Sequence, residues 1–345
     1  MKPTPSIDDV ARAAGVSTKT VSRVINREPN VTPSTRERVL NAIEALSYTP
    51  SVSARVLAGN RSYQITLFCS SPRSDYFADI QFAAMSVCQA SGYRLMVTLL
   101  KDYPYKNEIE AEKTLAALIG RPFPDSILLP PPFCDDPHIL TFLKGRNVPY
   151  VRISPKDDDD SPFVSFNEED AAFEITSHLI ALGHEEIAFV RGDEGHSATT
   201  AREKGFRRAF AKNDLRVRED LIYPGTFLFP SGVEAGEKMF IGDAAPTAVF
   251  ACNDEMAAGV SIAAHRAGLD IPDDVSIVGF DDSSVAQLTL PPLTTVKQPL
   301  ERLAAIATEI AIGQHSKHAD PEKETTTVDS YDLIIRSSTA RPRAS

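Results

Sequence analysis

Cysteine is scarce in this chain and unclustered. There are four, Cys69, Cys88, Cys134 and Cys252, with no Cys-x-x-Cys and no group of histidines beside them. Such spacing offers neither a disulfide framework nor a metal-ligand set, and it suits buried thiols in a reducing compartment. No run of about 18 apolar residues occurs, so no transmembrane helix is expected. The first residues, Met1-Lys2-Pro3-Thr4-Pro5, carry no apolar leader. Phosphate-cradling loops are missing too: there is no G-x-G-x-x-G after a strand and no G-x-x-x-x-G-K-[S/T]. Gly192-Asp193-Glu194-Gly195 is too short and acidic to replace them. These absences argue against a secreted binding protein and against a nucleotide-dependent enzyme.

What is present is an ordinary soluble composition, 345 residues with 42% apolar and 24% charged, enough for two or three domains. The net charge of −11 is unevenly spread. Residues 1–61 hold nine basic groups against five acidic ones, a surplus of +4 that leaves −15 on the remainder. A basic head on an acidic body attracts nucleic acid at one end and repels it elsewhere.

That head reads as helices. Ser6 with Asp9 makes a capping pair, and Val10, Ala11 and Ala14 form an apolar stripe. Gly15 supplies a tight turn. Ser17 fits the cap of a second helix, in which Val21, Val24 and Ile25 face inward and Val16 can staple onto Val21. The opposite face carries Lys19, Ser22, Arg23 and Asn26, with Thr18 on the shoulder. Long donors and short hydroxyls at the start of an exposed helix suit base edges and phosphates in a major groove. Thr32-Pro33 starts a third helix, with Val39, Leu40, Ile43 and Leu46 expected on one face. Residues 51–57 form a short helical candidate, stopped by Gly59 and too short to fold unsupported.

From Tyr63 the texture changes to alternating strands and helices. Strands are expected at 64–69, 93–100, 126–130 and 149–153, with helices at 76–91, 106–119 and 137–146 between them. A second set begins at 163, with strands near 164–166, 187–191, 221–223, 248–251 and 275–279. Its helices are expected at 168–181, 199–212, 231–240 and 255–267. Strand–helix–strand repetition means parallel doubly wound sheets. Lys156 to Asp160 lacks the alternate spacing of a calcium loop and reads as a solvated turn. In doubly wound sheets ligands sit at the carboxyl ends of strands. The candidates there are Ser70 and Ser71, Asp193 and His196, Asn253 and Asp254, and Asp281 and Asp282, with Arg202 in the helix after one such loop. Arg202, Asn253 and Asp281 combine a cationic fork, an amide and a carboxylate, which can bond vicinal hydroxyls from both donor and acceptor sides. Asn253-Asp254 equally suits a helix cap, Asp281 a turn, and His196 a solvated loop.

Several motifs, in order along the chain, resemble the LacI/GalR family of bacterial transcription regulators. They are Ile7 to Asn26, Tyr48-x-Pro50, Leu57-Ala58-Gly59, Cys252-Asn253-Asp254-Glu255-Met256-Ala257, Val278-Gly279-Phe280-Asp281-Asp282, and Pro291 to Pro299. The resemblance implies an all-α helix-turn-helix head (1–50) and a hinge helix (51–61). It also implies an α/β, two-lobed core like a periplasmic binding protein (62–345), built of two doubly wound parallel sheets. One lobe is then 62–162 plus 294–324 and the other 163–293 plus 325–345. Thr18, Lys19 and Arg23 match base-reading positions, and Leu57 matches a hinge leucine wedged into the minor groove or packed on its dimer mate. The expected DNA-contacting set is Thr18, Lys19, Thr20, Ser22, Arg23, Asn26, Ala54 and Leu57. The expected effector-contacting set is Ser71, Tyr76, His196, Arg202, Asn253 and Asp281. The implied protein is a cytoplasmic repressor and not an enzyme, without metal or cofactor and away from the membrane. It would be a homodimer, since no leucine heptads trail Thr339. Its partners would be a near-palindromic double-stranded operator and a small molecule, a sugar by family habit.

Overall fold

Ser6 starts the first helix as the spacing predicts. In the computed structural model its hydroxyl accepts from the Asp9 N–H (3.3 Å) while the Asp9 carboxylate accepts from the Ser6 N–H (2.9 Å). The described residues are 5–25, 30–48, 61–71, 74–101, 103–120, 123–157, 160–241, 245–314 and 325–343. They divide into two units, Met1–Tyr63 and Gln64–Ser345.

In the first unit α1 (Ile7–Ala14) ends at Gly15, whose φ of +64° is left-handed. Nothing lies within 4 Å of where a Cβ would stand, so the backbone angle and not space selects glycine. Ser17 caps α2 (Thr18–Ile25) by accepting from the Thr20 N–H at 3.2 Å. Pro33 opens α3 (Pro33–Ala45), and the Thr32 hydroxyl bonds Thr35 rather than the backbone. Val10, Val21 and Val39 meet at 0% exposure, joined by Ala11, Ala14, Val24, Ala42 and Tyr48. Full burial of each valine contributes roughly 1.5–3 kcal/mol. Leu40 corrects the expected stripe, because it is 52% exposed. The inward row of α3 is Val39, Ala42, Ile43 and Leu46, and a residue directly after Val39 lies about 100° round the helix from it. The segment 49–60, with Ala54 and Leu57, and residue Asn26 lie outside the described residues.

The second unit holds two parallel sheets. The first contains β1 (Gln64–Cys69), β2 (Arg94–Leu99), β3 (Ser126–Leu129), β4 (Tyr150–Ile153), β5 (Phe163–Phe166) and β11 (Thr325–Val328), in the order β11-β5-β4-β3-β1-β2. Between its strands run α4 (Asp75–Ala90), α5 (Glu108–Ile119) and α6 (Pro137–Gly145). The second sheet contains β6 (Ile187–Val190), β7 (Ile222–Tyr223), β8 (Ala248–Ala251) and β9 (Ser276–Val278), in the order β7-β6-β8-β9. Its helices are α7 (Glu168–Leu182), α8 (Ser197–Lys212), α9 (Phe229–Met239), α10 (Asp254–Arg266) and the short α11 (Ser284–Leu288). The strands of each sheet are buried almost throughout except the edge strands β2, β7 and β11, as a sheet covered on both faces requires.

The lobe boundaries differ from expectation. The resemblance puts Phe163–Phe166 at the start of the second lobe, yet β5 lies beside β4 in the first sheet, with Ile153 opposite Val164. The resemblance likewise puts Thr325–Val328 in the second lobe, but it forms the edge strand beside β5. The chain leaves the first sheet at Asn167, not near 162. A strand pattern reveals an apolar run but not which sheet edge receives it. Strands β10 (Thr295–Lys297) and β12 (Asp332–Ile334) pair antiparallel as a ribbon, and α12 (Leu300–Gly313) packs on α4, β3, β4 and β5. No described helix is long and apolar enough to cross a membrane.

Candidate functional site

Helix α2 buries Val21 and Val24 and turns Thr18 and Lys19 to solvent, with Thr20, Ser22 and Arg23 half-buried. Its first turn carries no acidic side chain, so the partial positive charge of the helix start is uncompensated. The Thr20 hydroxyl lies 2.9 Å from Ser17 Oγ and so takes part in the cap. The solvent face of α2 can therefore offer a cation and hydroxyls to phosphates and base edges.

In the second unit the expected residues gather around Arg202, which is 3% exposed on α8. Its Nε donates to Glu168 Oε2 at 3.0 Å, and one terminal nitrogen donates to the Cys252 carbonyl at 2.5 Å. That nitrogen also lies 3.7 Å from Asp281 Oδ1. The Phe280 ring covers one face of the guanidinium, 3.8 Å from its carbon to the ring centre. Burial would lower the Arg202 pKa, but Glu168 and Asp281 outweigh it, and the group stays charged.

Burial pushes the Asp281 carboxyl well above the carboxylate range; Arg202 opposes this and Asp254 adds to it. Asp281 also accepts from Gln298 Nε2 at 2.6 Å. Both Asp281 (φ +121°) and Asp282 (φ +55°) are in backbone regions that side chains resist, at a cost on the order of 1–3 kcal/mol each. The surrounding bonds hold them there. Arg336 grips Asp282, and Asp254 accepts from the Ser283 N–H and hydroxyl while its other oxygen accepts from Thr295.

The remaining residues divide. Tyr76 of α4 belongs to the group: burial, then the charges of Glu168, Cys134 and Asp281, push its phenol well up. His196 packs on Phe227, ring centres 4.7 Å apart, and burial with Arg202 lowers its pKa to about 4, so it is neutral near pH 7. Its Nδ1 is buried without a hydrogen-bond partner among the described residues. Asn253 caps α10 by accepting from the Met256 N–H (3.0 Å), and it donates to the Phe227 carbonyl (2.9 Å). Its placement therefore matches the cap reading while also fixing Phe227. Ser71 is exposed at the end of β1.

Two members of this group were not legible as such. Glu168 follows a strand end but sits in an acidic first turn, Glu168-Glu169-Asp170, which reads as ordinary capping. Phe227 takes φ +61°, and its ring fills the space where a Cβ on Gly192 would stand; no sequence pattern encodes that fit. A cavity of about 220 Å³ adjoins the group. It is lined by Glu168 and Glu169, Lys156 and Lys204, Ser154 and Ser197 among others, and includes none of the six expected effector residues. Among the described residues there is no His/Cys/Asp/Glu cluster able to hold a metal ion.

Comparison with known proteins agrees with both halves of this architecture. Residues 6–51 match the model for bacterial regulatory proteins of the lacI family, and residues 176–339 match a periplasmic binding protein-like domain. Catabolite control protein A of Priestia megaterium is 34% identical over 304 residues, 88% of this chain and 90% of that protein. The HTH-type transcriptional repressor PurR of Histophilus somni (strain 129Pt) is 32% identical over 341 residues, 96% of this chain and 98% of that protein. Among solved structures, the lac repressor dimer bound to operator and an anti-inducer superposes with a TM-score of 0.74 at 26% identity, covering 98% of this chain and 100% of that one. The complex of the transcriptional regulator CelR with cellobiose gives 0.72 at 28% identity, covering 97% and 99%. With a capped helix-turn-helix at one end, two parallel sheets around a buried arginine at the other, and relatives matched over nearly their full lengths, the chain belongs to the lacI family of bacterial regulatory proteins.

Proposed function

We propose that this chain is a transcriptional repressor whose affinity for a double-stranded operator is set by a small molecule, a carbohydrate, held between the two sheets of its second unit. One observation carries the reading. A single chain joins an α2 whose solvent face bears Thr18, Lys19 and Arg23 to a buried Arg202–Asp281–Glu168 group that Tyr76 approaches from the other lobe.

In this reading Thr18, Lys19, Thr20, Ser22, Arg23 and Asn26 face the major groove, and Ala54 and Leu57 of a hinge within 51–61 face the minor groove. Tyr76, His196, Arg202, Asn253 and Asp281 face the effector, with Ser71 at the mouth of the site. The operator complex of the lac repressor and the cellobiose complex of CelR support the two ligand classes. Two copies read two half-sites of a near-palindrome, in the cytoplasm and on the nucleoid. The protein acts as a sensor and turns nothing over. Effector binding shifts the lobes and biases the hinge, through a difference in affinity between two states of typically about 1–3 kcal/mol.

The test is a gel-shift and anisotropy titration of the full-length protein against bacterial promoter fragments, with and without carbohydrates. A retained near-palindrome, released as salt rises, supports the reading. Arg23→Ala should weaken binding to that operator by about 1–3 kcal/mol and flatten its preference over mutated sites, with effector affinity unchanged. Failure to retain any fragment at low ionic strength overturns it.

A further inference from the structure

The cavity beside the Arg202 group carries a surplus of positive charge. Two lysines line it, Lys156 just past β4 on the first lobe and Lys204 on α8 of the second. Among the described residues neither ammonium has a carboxylate partner. The two glutamates on the same wall are already neutralised, Glu168 by Arg202 at 3.0 Å and Glu169 by Arg208 at 2.8 Å. Asp170 shares Arg208 but does not line the cavity. Asp157 and Asp160, close to Lys156 in the chain, are exposed and do not line it either. Their charges lie in water, where salt screens them. The wall is left with two unmatched positive charges, one from each lobe.

The polar groups between the lysines are short of an acceptor. Ser154 lines the cavity and is only 7% exposed. Its N–H goes to the Val164 carbonyl (2.8 Å) and its own carbonyl takes the Ser197 hydroxyl (3.0 Å). The Ser154 hydroxyl is then left without a partner among the described residues. Ser197, Thr200 and Lys204 fall on one stripe of α8, which begins at the cavity wall. That helix has no acidic residue in its first turn and no side-chain cap on its first N–H groups. A buried hydroxyl, a helix start and two ammonium groups all favour an acceptor with about two negative charges.

A phosphoryl group meets that need. Near pH 7 a phosphate monoester carries about 1.5–2 negative charges on three acceptor oxygens, and lysine binds it as a point charge. A carboxylate brings a single charge and pairs best with an arginine fork, and the arginines at this wall are already engaged. The cavity's volume of about 220 Å³ is below the roughly 300–1,000 Å³ of pockets for drug-sized ligands, so its occupant is small.

We propose that this cavity is a second ligand site, separate from the Arg202 group. It takes a small phosphoryl anion between Lys156 and Ser154 of the first lobe and Lys204 and Thr200 of the second. Binding there does not depend on the carbohydrate-sensing reading. Because the donors come from both lobes, the anion favours the same lobe arrangement as the Ser197–Ser154 bond.

The experiment is calorimetry on the full-length protein in chloride buffer at constant ionic strength, with inorganic phosphate, glycerol 1-phosphate and glycerol as probes. Phosphate or its ester should bind saturably, one per chain, and glycerol should not. Lys156→Ala and Lys204→Ala should each weaken that binding roughly threefold or more. Lys238→Ala, at an exposed position on α9 that does not line the cavity, should leave it unchanged. Lys156 and Lys204 are exposed, so both variants should keep the wild-type melt without ligand. Amide exchange should slow on adding phosphate both in β5 and in the first turn of α8. Inorganic phosphate binding as tightly as the ester supports the proposal with the free ion as occupant. An ester roughly tenfold tighter supports it with a phosphorylated metabolite as occupant. No saturable binding of either probe overturns the proposal, and so does binding that both lysine variants leave intact.

Discussion

His196 carries a pH dependence whose sign follows from its burial. The folded imidazole titrates near 4, while in the unfolded chain it takes a proton below about 6.5. The unfolded state therefore binds more protons between those values. The stability His196 contributes is complete above pH 6.5 and is lost as pH falls toward 4. Asp254 and Asp281 act in the opposite sense, because burial raises their carboxyls and stability from their protonated forms fades as pH rises. A comparison of variants isolates the histidine: between pH 7 and pH 4.5 the melting temperature of His196→Gln should fall less than that of wild type. Equal falls would show that the imidazole is not held neutral. At this scale the strand-end rule points to Asp281, which the structure sets 3.7 Å from Arg202; Arg202 itself lies in the helix after such a loop and is singled out by the family resemblance. Neither finds Phe227, whose position depends on a left-handed backbone and a missing side chain at Gly192.

Among elements, the helices of the first unit follow their local signals closely, since caps and turn glycines act over three or four residues. Gly15→Ala tests this. With open space around the site, the cost is backbone strain of about 1–2 kcal/mol. Amide exchange should speed up roughly 5–30-fold in α1 to α3 and stay unchanged in α8. The sheet that holds β5 and β11 is not legible locally, because their pairing is decided by distant partners: β11 lies over 150 residues from β5 in sequence, and both strands are too short to declare a sheet. The same sheet ends in an apolar patch. Phe82 (63% exposed) and Met85 on α4 stand out, as do Met96 and Val97 on edge strand β2. An exposed apolar group of this kind on an edge strand and its helix marks a contact surface. If the proposed homodimer forms through this face, Phe82→Asp raises its dissociation constant at least tenfold by analytical ultracentrifugation. The melt of the second unit should change little, because the residue is already in water.

Across the second unit, the two lobes are joined by more than the chain that crosses between them. Asp75, the first residue of α4 on the first lobe, accepts from both the N–H (2.8 Å) and the hydroxyl (2.5 Å) of Ser284, the first residue of α11 on the second. Ser197 at the start of α8 donates to the carbonyl of Ser154 beyond β4 at 3.0 Å. On the proposed reading, in which Tyr76 from one lobe and Arg202 from the other hold the effector, binding requires the lobes to stand together, so these bonds and the effector favour the same arrangement. Opening the Asp75–Ser284 clasp should therefore weaken the effector. An exposed bond of this kind is worth about 0.5–1.5 kcal/mol, a two- to tenfold effect. Asp75→Ala should lower effector affinity by that factor, mostly through faster release, and shrink the ratio of operator affinities measured with and without effector. Asp75→Asn, which keeps an acceptor oxygen, should recover part of both. Asp75 directly precedes Tyr76 in the chain, so the Asp75→Asn comparison separates the clasp from any shift of that tyrosine. An unchanged effector affinity in Asp75→Ala, with the protein folded, would mean that the lobes hold their arrangement without the clasp and that ligand binding is not linked to it.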